Sequence, residues 1–363
     1  MSYKIYMKFY CMIDSFPKYL AICFFFCILS FPLLLQAQHT YTIESLPSNP
    51  LGSSFRGLQV VSDQVVWVSG SRGTVGRSTD GGAHWRWQQV VGYEKRDFRD
   101  IVSFDSLTAL IMAVAEPAVI LRTDNGGLSW QPVFTDSTPD MFLDAMHFVD
   151  AQNGIVVGDP IKNQAFLAYT RDGGLHWSRN PDWDQQPTIR LDSGEAFFAS
   201  SGTNIQLLKS NPNFQFYMVT GVLRSRLIGV GTSFNQDIPF ASLGSSRGAN
   251  SLAMLNKHIG VIVGGDFARD KDSLHTCFLV NTRSANPFRT PQTTTHGYRS
   301  SVTWITRKSL IACGTSGVDI STDQGNNWMN ISITGFHTLG KSPTGNFVFL
   351  AGSGGRIARM AIH

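Results

Sequence analysis

One turn-forming stretch constrains this chain more than anything else in it. RSTDGGAHW (residues 77–85) returns as RTDNGGLSW (122–130), TRDGGLHW (170–177) and STDQGNNW (321–328). The common pattern is a Ser or Thr, then an Asp, then a Gly, then a Trp at short fixed steps. An Asp side chain accepts backbone N–H bonds inside a tight turn. A Gly two residues on supplies the positive φ such a turn needs. The Trp gives a large apolar plate where the chain re-enters a sheet. The residues read in these roles are Asp80, Gly82 and Trp85; Asp124, Gly126 and Trp130; Asp172, Gly174 and Trp177; Asp323, Gly325 and Trp328. All twelve are expected to build the fold.

The copies act as a ruler. Asp80, Asp124 and Asp172 stand 44 and 48 residues apart, and Asp323 follows 151 residues after Asp172. That gap holds close to three further periods, so two degenerate repeats belong between. The seven resulting units begin near Phe55, Phe98, Met141, Glu195, Asn250, Tyr298 and Phe336. In each, an inner strand is followed by an apolar strand ending in Gly or Ala, a turn, and a third strand leading into the repeated turn. Four short strands per unit of this length describe a propeller blade. The fold class is therefore all-β: a seven-bladed β-propeller. Its last unit stops after three strands, and TYTIESL (40–46) is placed to supply the missing outer strand, closing the ring and removing an exposed edge. Abundant Gly (34 residues) and few charged residues (15%) suit many short strands joined by tight turns.

Residues 1–37 read separately. Lys18 precedes an apolar run from Tyr19 to Leu35, with Leu35 and Ala37 where a signal peptidase reads small or apolar residues. Cleavage after Ala37 is expected, giving a secreted, periplasmic or cell-surface protein whose single domain spans 38–363. The alternative is an uncleaved anchor. Without that leader the formal charge falls from +4 to about +2, and no Lys/Arg run exists, so a nucleic-acid footprint is not expected. The mature chain keeps two of five cysteines, Cys277 and Cys313, in different repeats, where they read as buried free thiols more readily than as a disulfide. No Cys/His spacing suits zinc. No glycine-rich turn opens a helix for a dinucleotide, so no cofactor is expected.

The repeated turn resembles the Asp box, or BNR repeat, of sialidase-like propellers. End to end, the mature chain resembles the Ycf48-like propellers of the photosystem II assembly-factor type, in the exported form found in bacteria. FRDI (98–101), GIVVGDP (154–160), GEAFFASSGTN (194–204) and GVIVGGD (260–266) support the resemblance beyond the boxes. It implies a seven-bladed ring acting as an assembly or binding platform for a protein or peptide. The departures are the absent boxes in repeats four, five and seven.

Propeller geometry places the boxes on one face and the inner-strand starts, with the turns between second and third strands, on the other. The inner strands open with Arg56, Arg99-Asp100, Asp144, Glu195, Arg299 and His337, and the turns carry Arg72, Glu116, Asp159, Asp266 and Asp270. Charges converging on a channel mouth are candidate ligand contacts; the competing reading is mutual neutralisation, with Arg–Asp pairs between neighbouring blades holding the ring and water in the channel. A glycosidase drawing on Asp100, Asp144, Asp159 or Glu116, acting on extracellular glycans, is the alternative. Arg56, Arg99 and Arg299 imitate a sialidase arginine cluster. However, the Ile-Pro expected after the first arginine and a Tyr–Glu pair are missing. The turn from Asp266 to Asp272 offers oxygen ligands of the kind Ca²⁺ takes and also reads as a solvated loop, so no metal is assigned.

Overall fold

The middle strands of the repeats, such as VWVSG (Val66–Gly70) and ALIMA (Ala109–Ala113), are buried along their whole length. A strand covered on both faces carries a continuous apolar run, and blades stacked face to face impose that condition. The computed structural model describes residues 41–179, 189–208, 214–240 and 244–362. The expected leader, residues 1–37, lies outside the described residues.

Seven antiparallel sheets form a seven-bladed propeller. Their inner strands are Phe55–Val60, Phe98–Ser103, Leu143–Phe148, Ile205–Leu207, Arg247–Met254, Ser301–Trp304 and Thr338–Lys341. Each inner strand touches the next, and the seventh touches the first, so the ring is closed. Closure uses both ends of the chain. Ile43–Leu46 pairs antiparallel with Ile357–Ala361, from Ile43 opposite Met360 to Leu46 opposite Ile357. The seventh blade thus takes its outer strand from the N-terminal segment, as the sequence implies.

Apolar side chains fill every interface between neighbours. Trp67 and Val75 meet Ile111 and Leu121 between blades one and two. Leu110 and Met112 meet Val156 and Phe166 between blades two and three. Phe349 meets Val60 and Val66 between blades seven and one. Cys277 and Cys313 are buried unbridged thiols in two different interfaces.

Two blades depart from the four-strand expectation. Among the described residues, blade three has three strands, and its outer edge is reduced to bridges at Ser178 and Arg190. In repeat four the inner strand is Ile205–Leu207, not the AFFAS run that the sequence suggests. Glu195–Ala196 instead pairs with Gly221–Val222 and extends blade five. The apolar AFFAS run is buried by a different route, described below.

Candidate functional site

The boxes form one hydrogen-bond pattern. Ser78 Oγ accepts from Gly82 N at 2.8 Å and donates to Asp80 Oδ1 at 2.9 Å, while Asp80 Oδ1 also accepts from His84 N at 2.9 Å. These bonds, the His84 backbone N–H first, hold the Asp80 pKa down at about 2. Thr170 with Asp172 and Ser321 with Asp323 repeat the arrangement. In the second copy the structure moves the roles by one residue. Asn125 accepts from Ser129 N at 3.1 Å and Gly127 N donates to Thr123 Oγ1 at 3.0 Å, so Asn125 and Gly127, not Asp124 and Gly126, occupy the box positions. Each box glycine has φ between 80 and 87°. A Cβ there would strike the preceding blade: Leu46 for Gly82, Gln88 for Gly127, Leu110 for Gly174 and Leu279 for Gly325. The boxes lean one blade on the next.

On the other face, the start of each inner strand contains a repeated irregularity. In blade one, Phe55 pairs with Gly70 and Gly57 with Ser69, leaving Arg56 as an extra residue. Arg99 is the extra residue in blade two, Asp144 in blade three and Asn250 in blade five. Such bulges re-aim a side chain out of the ladder. Ser300 and His337 stand at the corresponding places in blades six and seven, just before the first regular pairs Ser301–Cys313 and Thr338–Ala351. Six blades therefore each present one residue at this level of the channel.

Blade four contributes a plug. Phe197 N is held by Asp159 Oδ1 at 2.9 Å, and residues 200–203 then cross the channel. Ser200 Oγ donates to Asn250 Oδ1 at 2.9 Å, and Ser200 O accepts from Arg56 Nη1 at 3.3 Å. Ser201 Oγ donates to Ser300 O at 2.6 Å, and Thr203 Oγ1 to Ser251 Oγ at 2.7 Å. Gly202 has φ 69°, and a Cβ on it would lie 2.3 Å from Asp100 Oδ1. The GEAFFASSGTN stretch is thus the segment that stoppers the ring. Beneath the plug, on the box face, two lobes of about 500 and 330 Å³ share His147, Gly202 and Thr203.

Above the plug, positive charge collects. Burial, then the neighbouring Arg99 guanidinium, lower the Arg56 pKa from its ordinary value. Arg99 lies over the Phe142 ring and donates to Asp97 Oδ2 at 2.8 Å. Burial draws the His337 pKa down to about 4, helped by Arg56, Arg356 and Arg99, so this imidazole is neutral at pH 7. Arg356 is held by Gly335 O at 2.6 Å. Besides Asp97, two further acids share the region. Asp144 is fully buried with neither oxygen in a well-formed hydrogen bond. Burial, and then Asp159, push its pKa well above the usual carboxylate range, against a weaker opposing pull from Arg99. Burial also raises Asp159.

The other sequence candidates sit elsewhere. Arg299 is completely buried, its Nε and Nη2 2.7 and 2.6 Å from Asp319 Oδ2, so it braces blade six and does not face the mouth. Asp100 accepts from Ile101 N at 2.8 Å and from Met146 N at 2.6 Å, tying blades two and three together beneath the plug. Glu195 is sealed in a bidentate pair with Arg226 at 2.8 and 2.7 Å. Asp266 caps a short 3₁₀ turn, Phe267–Arg269, and pairs with Arg269 at 3.0 Å, while Asp272 pairs with Arg247 at 2.9 Å. Asp270 Oδ2 accepts from Thr315 Oγ1 at 2.7 Å, so each acid of that turn already has a partner within the protein. Arg72 donates to Leu51 O at 2.6 Å, and Glu116 lies exposed in its turn. The sequence reading missed Arg356, Asn250, Ser300 and the plug.

Fold and boxes together define a seven-bladed Asp-box propeller with a stoppered channel. Residues 45–139 match the family model described as photosynthesis system II assembly factor YCF48. A structure of YCF48 bound to a D1 peptide superposes with a TM-score of 0.60 at 15% identity, over 90% of this chain and 96% of that one. YCF48 from Cyanidioschyzon merolae gives 0.57 at 17% identity, over 89% and 99%. The WD40 propeller domain of Doa1 gives 0.60 at 13%, over 90% and 98%. No curated protein matches the sequence. The chain thus carries a β-propeller fold like that of YCF48, with the match to the family model confined to residues 45–139.

Proposed function

We propose that this chain is an exported, non-catalytic propeller that binds an acidic protein or peptide segment at the plugged mouth. The observation that carries this reading is the convergence of Arg56, Arg99 and Arg356 above a floor made of backbone, with Asp97 as a direct ionic partner of Arg99. Guanidinium groups held close together against their mutual repulsion gain from a carboxylate arriving between them. The structure of YCF48 with a D1 peptide supports a peptide as the ligand class. A glycosidase needs two carboxylates flanking an open cleft. Asp100 and Asp144 are both closed off from solvent, which favours binding over hydrolysis.

The test is affinity capture from the envelope fraction with the purified protein, repeated with Arg99→Ala. One reproducible partner, lost in the variant, supports the reading; capture unchanged by the substitution refutes it. Turnover of aryl glycosides or sialosides would replace it with the hydrolase. N-terminal sequencing of the exported protein tests the leader, with residue 38 as the expected first residue.

A further inference from the structure

Beside the arginines, the same face carries an aromatic ridge. Phe267 is 47% exposed. Its ring meets Phe198 edge-on at 5.9 Å and Tyr298 at 6.3 Å. A single exposed aromatic needs no explanation, but this one is held in place. Asp266 caps its turn by accepting from Ala268 N at 3.0 Å and is itself clamped by Arg269 and by Ser246 Oγ at 2.7 Å. The ridge also adjoins the cationic mouth. Tyr298 OH donates to Ser200 Oγ at 3.3 Å, and Arg56 Nη1 donates to Ser200 O at 3.3 Å, so one plug residue links the two. Phe198 stands on the strand of chain that leads into the plug, and Phe267 stands at the end of the second strand of blade five. Both lie on the inner-strand-start face, where Arg56 and Arg99 also lie.

We infer that Phe267 and Phe198 form a specificity subsite for a large apolar side chain standing next to side-chain carboxylates in the bound segment. The inference rests on the peptide-binding reading above and adds what the peptide must contain. Charge complementarity names the acidic half of the ligand, because three arginines face one direct partner carboxylate there. The spread of those arginines over blades one, two and seven suits several side-chain carboxylates along an internal segment better than one chain terminus. The fixed, half-exposed ring supplies the apolar half. An aromatic on such a ridge gains edge-to-face contact and leaves water. The extended ligand backbone advances only about 3.3 Å per residue, so both halves fit within a short segment.

The test uses fluorescein-labelled, C-terminally amidated Gly-Asp-Glu-Phe-Gly and Gly-Asp-Glu-Ala-Gly, titrated by anisotropy against the purified protein. The Phe probe is expected to bind about tenfold more tightly than the Ala probe, the equivalent of about 1.4 kcal/mol. Phe267→Ala should abolish that preference, leaving both probes at the affinity of the Ala probe, while Phe267→Leu keeps part of it. Arg56→Gln should weaken both probes alike. Equal binding of the two probes by the unsubstituted protein, or a preference that survives Phe267→Ala, overturns the subsite and leaves the mouth intact. Probes that ignore Arg56→Gln, or that do not bind at all, overturn the underlying reading as well. A free-carboxylate Gly-Gly-Phe probe that outcompetes the acidic one refutes the internal segment as the source. Thermal midpoints show that each variant is folded.

Discussion

Replacing Gly82 by Ala isolates what a box contributes. The backbone there has φ 87°, and an added Cβ would sit 2.6 Å from Leu46 Cδ1, with Phe349 Cε1 behind it at 3.6 Å. Leu46 cannot simply swing aside, because it packs against Val60, Val66 and Phe349 at the seam between the last and first blades. The left-handed backbone costs an Ala about 1 kcal/mol, and forcing a methyl into a packed seam costs about 1–3 kcal/mol. Gly82→Ala should therefore lose about 2–4 kcal/mol. Gly92 is the internal control: its φ is 82°, yet nothing lies within 4 Å of its would-be Cβ. Gly92→Ala should lose only the backbone part, about 1 kcal/mol. Urea unfolding followed by tryptophan fluorescence gives both values from the midpoint and slope. Leu46 belongs to the closing strand, so limited proteolysis should also cut the chain ahead of Phe55 sooner in Gly82→Ala than in Gly92→Ala. Equal losses in the two variants would refute the idea that boxes act by wedging one blade against its neighbour.

Asp80→Asn should fold normally at pH 7, since Asn125 already fills that role in the second box. A carboxylate whose pKa is depressed on folding stabilises above its unfolded value, near 4, and that contribution disappears as pH falls through the folded value. With Asp80 at about 2 and Asp172 and Asp323 also lowered, urea midpoints should drop between about pH 4 and pH 2, and less steeply in Asp80→Asn. Asp144 has the opposite sign. Its raised pKa makes it a burden that grows as pH climbs above about 4, so Asp144→Asn should be more stable than the parent at pH 7 and equal to it near pH 4; a variant less stable at pH 7 would mean the carboxyl has a partner. Glu195→Gln strands the buried Arg226 guanidinium and should lose about 3–5 kcal/mol in the same unfolding assay.

The ring was legible because its signals are local and repeated. A box needs only a few residues in fixed order, and closure by the N-terminal segment followed from counting one strand too few in the last repeat. The fourth repeat was not legible in the same way. AFFAS carries the apolar, β-prone composition of an inner strand, and composition alone assigns it there. What sends it elsewhere is long-range: the carboxyl of Asp159 captures Phe197 N, and partners on Arg56, Asn250, Ser251 and Ser300 satisfy the polar groups that follow. None of those partners lies within thirty residues of the segment they hold. Local pattern cannot report a stopper whose anchoring hydrogen bonds come from other blades.

The misplaced arginine has a simpler cause. Phe55-Arg56 and Tyr298-Arg299 look alike, and the sequence groups them together. In blade one the first regular pair after the arginine is Gly57 with Ser69, so Arg56 directly precedes the ladder. In blade six that pair is Ser301 with Cys313, and Ser300 takes the preceding place. Arg299 is one residue out of phase with Arg56. Side chains alternate along extended chain, so one residue of phase exchanges the channel for the blade interior. There Arg299 meets Asp319, together with His296 and Asn330 on the same carboxylate. The same single step separates Asp124 from Asn125 in the second box. The sequence names the right residue types in the right neighbourhood, and the register of the hydrogen-bonded ladder decides which of two neighbours faces the channel. Arg56 and Arg99, both extra residues at bulges, are on the channel side of that decision.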